Sequence, residues 1–238
     1  MRAALESLLR ARQLDVTLTA CDAPLPADRV APTGDPALDA ALGGGLKRGH
    51  LSEIVGAAST GRSTLVARLL AAATARGEAT AIVDACDTWD PISAVAHGVA
   101  LERVLWIRVR APRASAAPDG AGESEGRTSS DTTGASLRAL KAFSLILQAG
   151  GFGLVVFDLA DVAPLAIRRF PLTTWMRAAR AIEGRDTVAL LVGAERIARS
   201  AGGATLALDT PRATWRGATS RARLFTGVDP APRVVKAR

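Results

Sequence analysis

The chain has 238 residues, of which 48% are hydrophobic, and it carries a net charge of +7. This length allows one large α/β domain with a short appendage and excludes two full-sized domains. No apolar run is long enough to cross a bilayer, and the first residues lack the pattern of a secretory signal, so we expect a cytoplasmic protein. The few cysteines and histidines are isolated along the chain, which predicts neither a disulfide framework nor a metal site.

Arginine dominates the basic residues, because only Lys47, Lys141 and Lys236 are lysines. Arginine makes planar, two-pronged contacts with phosphates and carboxylates, so its excess suits nucleic acid or an acidic protein surface. Heavy use of Ala, Arg and Gly also fits a plain compositional bias, and the total charge does not decide between the two explanations.

Residues 1–32 are predicted to form an N-terminal helix and a linker. Over residues 1–16, leucines recur at near-helical spacing between charged side chains, which is typical of an amphipathic helix. Residues 22–35 are rich in proline and have no periodicity, as in an extended arm. Leu5, Leu8 and Leu9 are therefore candidate partner-binding residues, although packing on the chain's own core would also bury them.

From residue 33 to 238, short β-rich runs alternate with helical segments, which predicts one α/β core with a mostly parallel sheet. Strands are expected at Leu51–Val55, Thr80–Asp84, Val104–Val109, Leu154–Asp158 and Val188–Val192, and helices at Ser63–Arg76, Ser136–Gln148 and Leu172–Ile182. Residues 111–136 contain almost no large apolar side chain and are predicted to form a flexible loop. Two later runs, Arg221–Thr226 and Arg233–Lys236, predict a C-terminal β-hairpin.

The segment Leu51–Leu65 has the layout of a P-loop, in which an apolar strand leads through two spaced glycines into a helix. Glycines let the backbone wrap around a phosphate, and the free N–H groups at the start of the helix attract an anion. Asp158 ends a buried strand and is expected to hold a magnesium-bound water. The predicted nucleotide-binding residues are Gly56, Ser59, Thr60, Gly61, Arg62, Ser63, Thr64, Asp90 and Asp158.

Arg62 stands where a P-loop carries lysine. Its planar head is bulkier than an ammonium group and has a different reach, so we expect a poor fit against the β and γ phosphates. Hydrolysis is therefore expected to be lost, and we assign no catalytic residue. Whether ATP or ADP still binds stays open.

Residues 33–65 and 79–91 together resemble the RecA recombinase core. They contain a leucine-aspartate pair, a run of glycines, an Arg-Gly pair before the strand, the P-loop, and a second strand followed by an acidic segment that closes with Asp90 and Pro91. The final Arg-Val-Val-Lys-Ala-Arg also resembles the last strand of that core. The resemblance implies a RecA-like P-loop fold over about residues 33–238.

The chain departs from the RecA pattern in the nucleotide pocket. Cys86 stands where RecA has the glutamate that activates the attacking water. The aromatic residue that follows the Asp-Pro pair in RecA is absent here, and so is the glutamine expected after the strand Val188–Val192. Asp87 and Glu195 are the nearest carboxylates to the missing groups. Together with Arg62, these losses predict that the ATP-hydrolysing apparatus has decayed.

A RecA-like core with a degenerate P-loop, a short N-terminal helix and a basic C-terminus is similar to the ImuA family. This resemblance implies a role in DNA damage-inducible translesion mutagenesis. It also implies three partners: RecA, an inactive Y-family polymerase homologue of the ImuB type, and an error-prone replicative-type polymerase. The N-terminal helix is then expected to occupy the groove where RecA subunits contact one another.

The segment after Thr210 is strongly basic, with Asp229 as its one acidic residue. Such clustering indicates a DNA-binding or polyanion-binding surface, although a solvated hairpin with biased composition stays an alternative. The candidate residues are Arg212, Arg216, Arg221, Arg223, Arg233, Lys236 and Arg238.

Three hypotheses follow. The first is a non-catalytic adaptor that modulates RecA. The second is a weak DNA-dependent ATPase that uses Arg62 and Asp158 with Asp87 or Glu195. The third is a division inhibitor of the SulA kind, which the P-loop remnants and the basic C-terminal segment disfavour.

Overall fold

The computed structural model describes residues 29–109, 125–198, 202–219 and 221–236. The predicted N-terminal helix with Leu5, Leu8 and Leu9, most of the linker, residues 111–124 and Arg238 lie outside these residues. Within them, no helix is long and apolar enough to span a membrane.

The described strands form one large sheet and two small ones. Short strands β1 (Val30–Ala31) and β2 (Leu46–Lys47) pair with each other, as do β9 (Arg212–Arg216) and β10 (Leu224–Asp229). The large sheet contains β3 (Leu51–Gly56), β4 (Thr80–Asp84), β5 (Val104–Arg108), β6 (Leu154–Asp158), β7 (Val188–Gly193), β8 (Ala204–Leu208) and β11 (Pro232–Lys236). Its spatial order is β11-β8-β3-β7-β6-β4-β5. All neighbours are parallel except β11 and β8, which confirms the predicted mostly parallel architecture.

Helices cover both faces of this sheet, which is why its central strands are almost wholly apolar. The helices are α1 (Pro36–Leu42), α2 (Arg62–Ala75), α3 (Pro91–Ala96), α4 (Glu125–Ala149), α5 (Pro164–Arg168) and α6 (Leu172–Ile182). On one face, α2 packs Leu69 and Leu70 into a core with Ile54 of β3. On the other face, α4 and α6 bury Phe143 and Trp175 against Phe157 of β6.

The predicted flexible loop extends less far than its composition suggested. Helix α4 begins at Glu125, eleven positions before the predicted start at Ser136. The prediction of a loop is therefore wrong over residues 125–136. Buried Ala135, Ala139 and Phe143 fix the following turns against the sheet, and a helix extends at little cost once such turns are formed.

The predicted C-terminal hairpin is present, but it joins different strands. The run Arg221–Thr226 contributes to β10, which pairs with β9 rather than with the run Arg233–Lys236. That second run lies in β11, which adds antiparallel to β8 at the edge of the large sheet. Both runs have β character, but their alternation alone does not identify their partners.

The carboxyl ends of β3, β4 and β6 lie at one edge of the sheet. Asp84 and Asp158 are direct neighbours there, and Gly56 ends β3 on the far side of β7. Ligands of open α/β sheets bind at this edge.

Candidate phosphate-binding site

The loop between β3 and α2 wraps tightly at Gly56. A Cβ atom added there would lie 2.6 Å from the Thr60 Oγ1 and 2.8 Å from the Leu208 carbonyl oxygen, so no other residue fits without a shift. The Thr60 hydroxyl donates a hydrogen bond of 2.8 Å to the Ala57 carbonyl and closes the loop on itself. The backbone therefore has the compact turn that the glycine spacing predicted.

Helix α2 begins at this loop without a side-chain cap. Ser59 and Gly61 have φ angles of +63° and +91°, and Gly61 is the N-cap residue. The first N–H groups of α2 are thus left for another acceptor, and the helix dipole favours an anion there. Ser63 is exposed and Thr64 is half-buried in the first turn.

A cavity of about 520 Å³ opens in front of the loop. The predicted residues Ser59, Arg62, Ser63, Thr64, Asp90 and Asp158 line it. Gly56, Thr60 and Gly61 shape the loop behind. The structure thus brings six of the nine predicted residues to one cavity, and the other three belong to the loop behind it.

Arg62 is held by groups of this chain. Its side chain is buried, and its Nη1 atom donates a hydrogen bond of 3.1 Å to the Ala160 carbonyl. Its Nη2 atom lies 3.7 Å from the Asp161 Oδ1. The guanidinium therefore reaches across the cavity to the segment that follows β6.

Asp158 is the most buried carboxylate in the cavity. Its Oδ1 accepts a hydrogen bond of 2.9 Å from the Ala160 N–H. Burial, and then the nearby charges of Asp84 and Asp161, raise its pKa to about 6, against the opposing effect of Arg62. Near neutral pH its negative charge is thus poorly stabilised by its surroundings.

Asp84 organises the segment after β4, a role the sequence did not reveal. It is fully buried and accepts N–H hydrogen bonds from Cys86, Thr88 and Trp89 at 3.2, 3.1 and 2.8 Å. A strand-terminal Asp before a turn is a known signal for this kind of backbone bonding. It fixes the path of residues 86–89 beside the cavity.

Cys86 occupies the position of the expected glutamate. Burial, and then the charges of Asp161, Asp158 and Asp84, raise the pKa of its thiol to about 11. The thiol is therefore protonated at neutral pH and offers no base for a water molecule.

Asp87 and Glu195, the carboxylates nearest in sequence to the missing groups, each contact an arginine that does not line this cavity. Asp87 binds Arg108 through paired hydrogen bonds of 2.5 and 3.1 Å. Glu195 accepts a hydrogen bond of 2.8 Å from Arg168 and lines a different cavity, of about 610 Å³. Among the described residues that line the phosphate-side cavity, neither Asp87 nor Glu195 is present.

Asp90 caps α3 at the rim of the cavity. It accepts hydrogen bonds from the N–H groups of Ile92 and Ser93 and from the Ser93 hydroxyl, which holds the pKa of Asp90 below its ordinary value. Trp89, which directly precedes the Asp90-Pro91 pair, also lines the cavity. It is thus an aromatic side chain before this pair rather than after it. Its ring packs edge-on against Trp106 at 5.1 Å.

The residues fit a bound phosphate better than a magnesium nucleotide undergoing hydrolysis. The tight loop and the uncapped start of α2 form a cradle for an anion, and Ser63 and Asp158 supply the hydroxyl and carboxylate that a magnesium site would need. The lysine position, however, carries a guanidinium bound to Ala160, and the glutamate position carries a neutral thiol.

The predicted basic residues of the C-terminal segment lie on two separate elements, the β9–β10 hairpin and β11. Arg212, Arg216, Arg221 and Arg223 are exposed on or beside β9 and β10. Arg233 is exposed on β11 and lies 3.4 Å from Asp209, and Lys236 ends β11.

Comparisons with known proteins point to one family. The family model of the RecA N-terminal domain matches residues 21–112. The RecA proteins of Symbiobacterium thermophilum and Thermus thermophilus are 46% and 47% identical over 77 residues, which is 32% of this chain. The RecA protein of Methylococcus capsulatus is 35% identical over 139 residues, or 58% of this chain.

The α/β fold of the core is RecA-like. The matched residues contain the P-loop, β4 and the segment around Cys86, whereas Asp158, Ala160 and Asp161 of the site lie outside the match. The chain spans only 22% to 33% of the length of these RecA relatives. The RecA-like fold is therefore established for the core, while activity and partners require separate arguments.

Proposed function

We propose that this chain is a non-catalytic RecA-like adaptor of the ImuA type in the DNA damage response. In this proposal it binds RecA and an ImuB-type polymerase homologue during translesion synthesis and modulates RecA activity, with no turnover of ATP. The observation that carries the proposal is the position of Arg62, whose guanidinium is bound to Ala160 and lies beside Asp161 within the phosphate-side cavity.

The alternative, a weak ATPase, needs a general base that activates water and a cationic side chain that binds the terminal phosphate. Cys86 is a neutral thiol, and Asp87 and Glu195 bind Arg108 and Arg168 outside the cavity lining. These contacts favour the adaptor over the enzyme.

Binding to RecA is supported by the RecA-like core and by the exposed edge of its sheet. Strand β5 is the outermost strand on its side, and in the described part of the chain only β4 pairs with it. Leu105 on this strand is 46% exposed and Leu101 before it is 39% exposed. Exposed edge strands with apolar side chains pair readily with another chain.

Phosphate release and RecA binding test the proposal together. The purified chain is assayed with and without single-stranded DNA, with RecA as positive control, and its affinity for immobilised RecA is measured in parallel. We expect no turnover above that of Asp158→Ala, together with binding to RecA. Turnover that Asp158→Ala abolishes, or no binding to RecA, would contradict the proposal.

A further inference from the structure

The hairpin of β9 and β10 stands apart from the large sheet. Its two strands pair only with each other among the described residues, and every residue of β9 is exposed. A two-stranded hairpin in water is marginally stable by itself. Its outer backbone edges and side chains are thus available to another molecule.

One face of the hairpin carries an exposed aromatic pair. Trp215 lies directly opposite Phe225, and both are 52% exposed. Their ring centroids are 5.5 Å apart with planes at 72°. Leu224, which pairs with Arg216, is 66% exposed on the opposite face. Large apolar side chains exposed side by side on a surface mark interaction sites.

Arginines lie on the other face of the hairpin and near its turn. Arg212 and Arg216 point to the face opposite Trp215, whereas Arg221 and Arg223 shortly precede Phe225 in the chain. Arg212, Arg216, Arg221 and Arg223 are all exposed, and Asp229 is the one acidic residue of the hairpin. Asp229 is already engaged by Arg68 at 2.9 Å and by Arg212 at 3.4 Å. The remaining charge is positive, so it complements an acidic ligand.

The base of the hairpin is fixed to the P-loop helix. The Asp229 ion pair joins it to Arg68 of α2, and buried Pro230 packs against Gly61. These contacts hold the aromatic pair in a defined orientation, which lowers the entropy lost when a partner binds.

We propose that the hairpin docks an extended acidic segment of a partner protein. The segment lies along the hairpin, places an apolar side chain against Trp215 and Phe225, and directs its carboxylates to Arg221 and Arg223 near the turn. The residues that dominate binding in protein interfaces are enriched in Trp and Arg, and an extended segment can add to a free strand edge. The inference rests on the proposed adaptor function and names the chemistry of one partner surface.

The ring geometry favours a peptide over single-stranded nucleic acid. Successive bases stack on aromatic faces that follow the strand. Planes at 72° do not offer two such faces, whereas the edge-on pair offers an apolar surface that suits an aliphatic or aromatic side chain. Nucleic acid is therefore an outcome of the test that would overturn the proposal.

The test measures fluorescence anisotropy of the full chain with three labelled probes. The first is a short peptide of Asp and Glu with a central Leu-Phe pair, the second has Ser in place of that pair, and the third is an oligothymidylate. We expect the first probe to bind at least roughly tenfold more tightly than the other two. No binding of the first probe, or equal or tighter binding of either other probe, would overturn the proposal.

Substitutions locate the binding surface. Trp215→Ala and Arg223→Gln should each weaken the first probe roughly tenfold, as expected for residues central to an interface. Met176→Ala and Arg177→Gln, exposed on α6, are matched controls that should leave binding unchanged. Thermal unfolding checks that each variant remains folded. Unchanged affinity in the hairpin variants would refute docking at this site. The RecA-binding and phosphate-release assays do not use these probes, so a failure here is distinguishable from a failure of the adaptor proposal.

Discussion

At the scale of single residues, Arg62 and Cys86 determine which chemistry the phosphate-side cavity supports. The Arg62 guanidinium is bound to Ala160 and lies near Asp161, and the Cys86 thiol stays protonated because burial and three nearby carboxylates raise its pKa. In the adaptor proposal, neither group takes the place of the Lys or Glu of a RecA-type ATPase, and the loop keeps the backbone shape of a phosphate cradle.

Asp158→Asn should stabilise the protein in a pH-dependent way. Burial raises the pKa of Asp158 from 3.8 to about 6, so the folded state holds an extra proton between these values. The carboxyl thus contributes most to stability below about pH 4, and this contribution is lost as the pH rises through about 6. Asparagine does not ionise, so the variant avoids this loss of stability. The free energy of unfolding of Asp158→Asn should therefore exceed that of the unaltered protein by about 2–3 kcal/mol above pH 7.

Urea unfolding at about pH 4 and about pH 8 measures this difference. Asp229→Asn is a control of opposite sign, because the hydrogen bond from Arg68 lowers the pKa of Asp229. The Asp229 carboxylate stabilises the folded state at pH values above its ordinary pKa, and this stabilisation is lost as the pH falls. An advantage of Asp158→Asn that does not change with pH would contradict the assigned cause.

Gly61→Ala should destabilise the fold more than Gly77→Ala. Both glycines have positive φ angles, of +91° and +81°, so both substitutions strain the backbone. At Gly61 the new Cβ would also lie 3.0 Å from the Pro230 Cβ, whereas at Gly77 no atom lies within 4 Å. We expect about 1–3 kcal/mol for the backbone strain alone. Equal losses of unfolding free energy in the two variants would show that Pro230 moves away from the new Cβ at no cost, which would contradict this prediction.

Sequence reasoning identified the loop residues but not their partners. The glycine spacing, Arg62, Ser63 and the strand ending at Asp158 were all visible from local patterns. The contact between Arg62 and Ala160 joins residues 98 positions apart, and a single sequence carries no signal for such a pairing. The role of Asp84 was missed because its three backbone donors become apparent only when the turn is folded.

At the scale of elements, a buried glutamate ties the P-loop strand to the segment after β7. Glu53 on β3 is 2% exposed, and its two carboxylate oxygens accept hydrogen bonds from the N–H groups of Ile197 and Ala198 at 3.2 and 2.7 Å. The strand that carries the P-loop thus also positions residues 195–198.

Glu53→Gln should loosen this connection. An amide offers one acceptor oxygen and places an NH2 group against the second N–H, so a buried donor loses its partner at a cost of about 1–3 kcal/mol. Hydrogen exchange at Ile197 and Ala198 should accelerate, while exchange in β6 stays slow. Unchanged exchange at both amides would show that the bonds do not hold the segment.

The elements themselves were largely predictable, and their exceptions have physical reasons. The apolar runs of β4, β6 and β7 are typical of buried parallel strands, and the structure places strands there. The start of α4 was missed because Ser, Thr and Gly disfavour helices, while packing further along the helix overrides that preference. The hairpin was expected, but its pairing depends on contacts across the molecule.

At the scale of the whole molecule, the RecA-like core is established and its use is proposed. The match to the RecA N-terminal domain covers residues 21–112, and the remaining strands complete the same sheet. The P-loop helix α2 connects the cavity to the hairpin through Arg68 and Gly61. A partner on the hairpin and an anion in the cradle would therefore both act on the N-terminal half of this helix.

Phosphate release by the purified chain tests the central claim most directly. The assay compares the unaltered protein with Asp158→Ala in the presence of ATP, magnesium and single-stranded DNA. The account predicts equal, background-level release from both proteins. Release by the unaltered protein that rises with DNA and disappears in Asp158→Ala would contradict it.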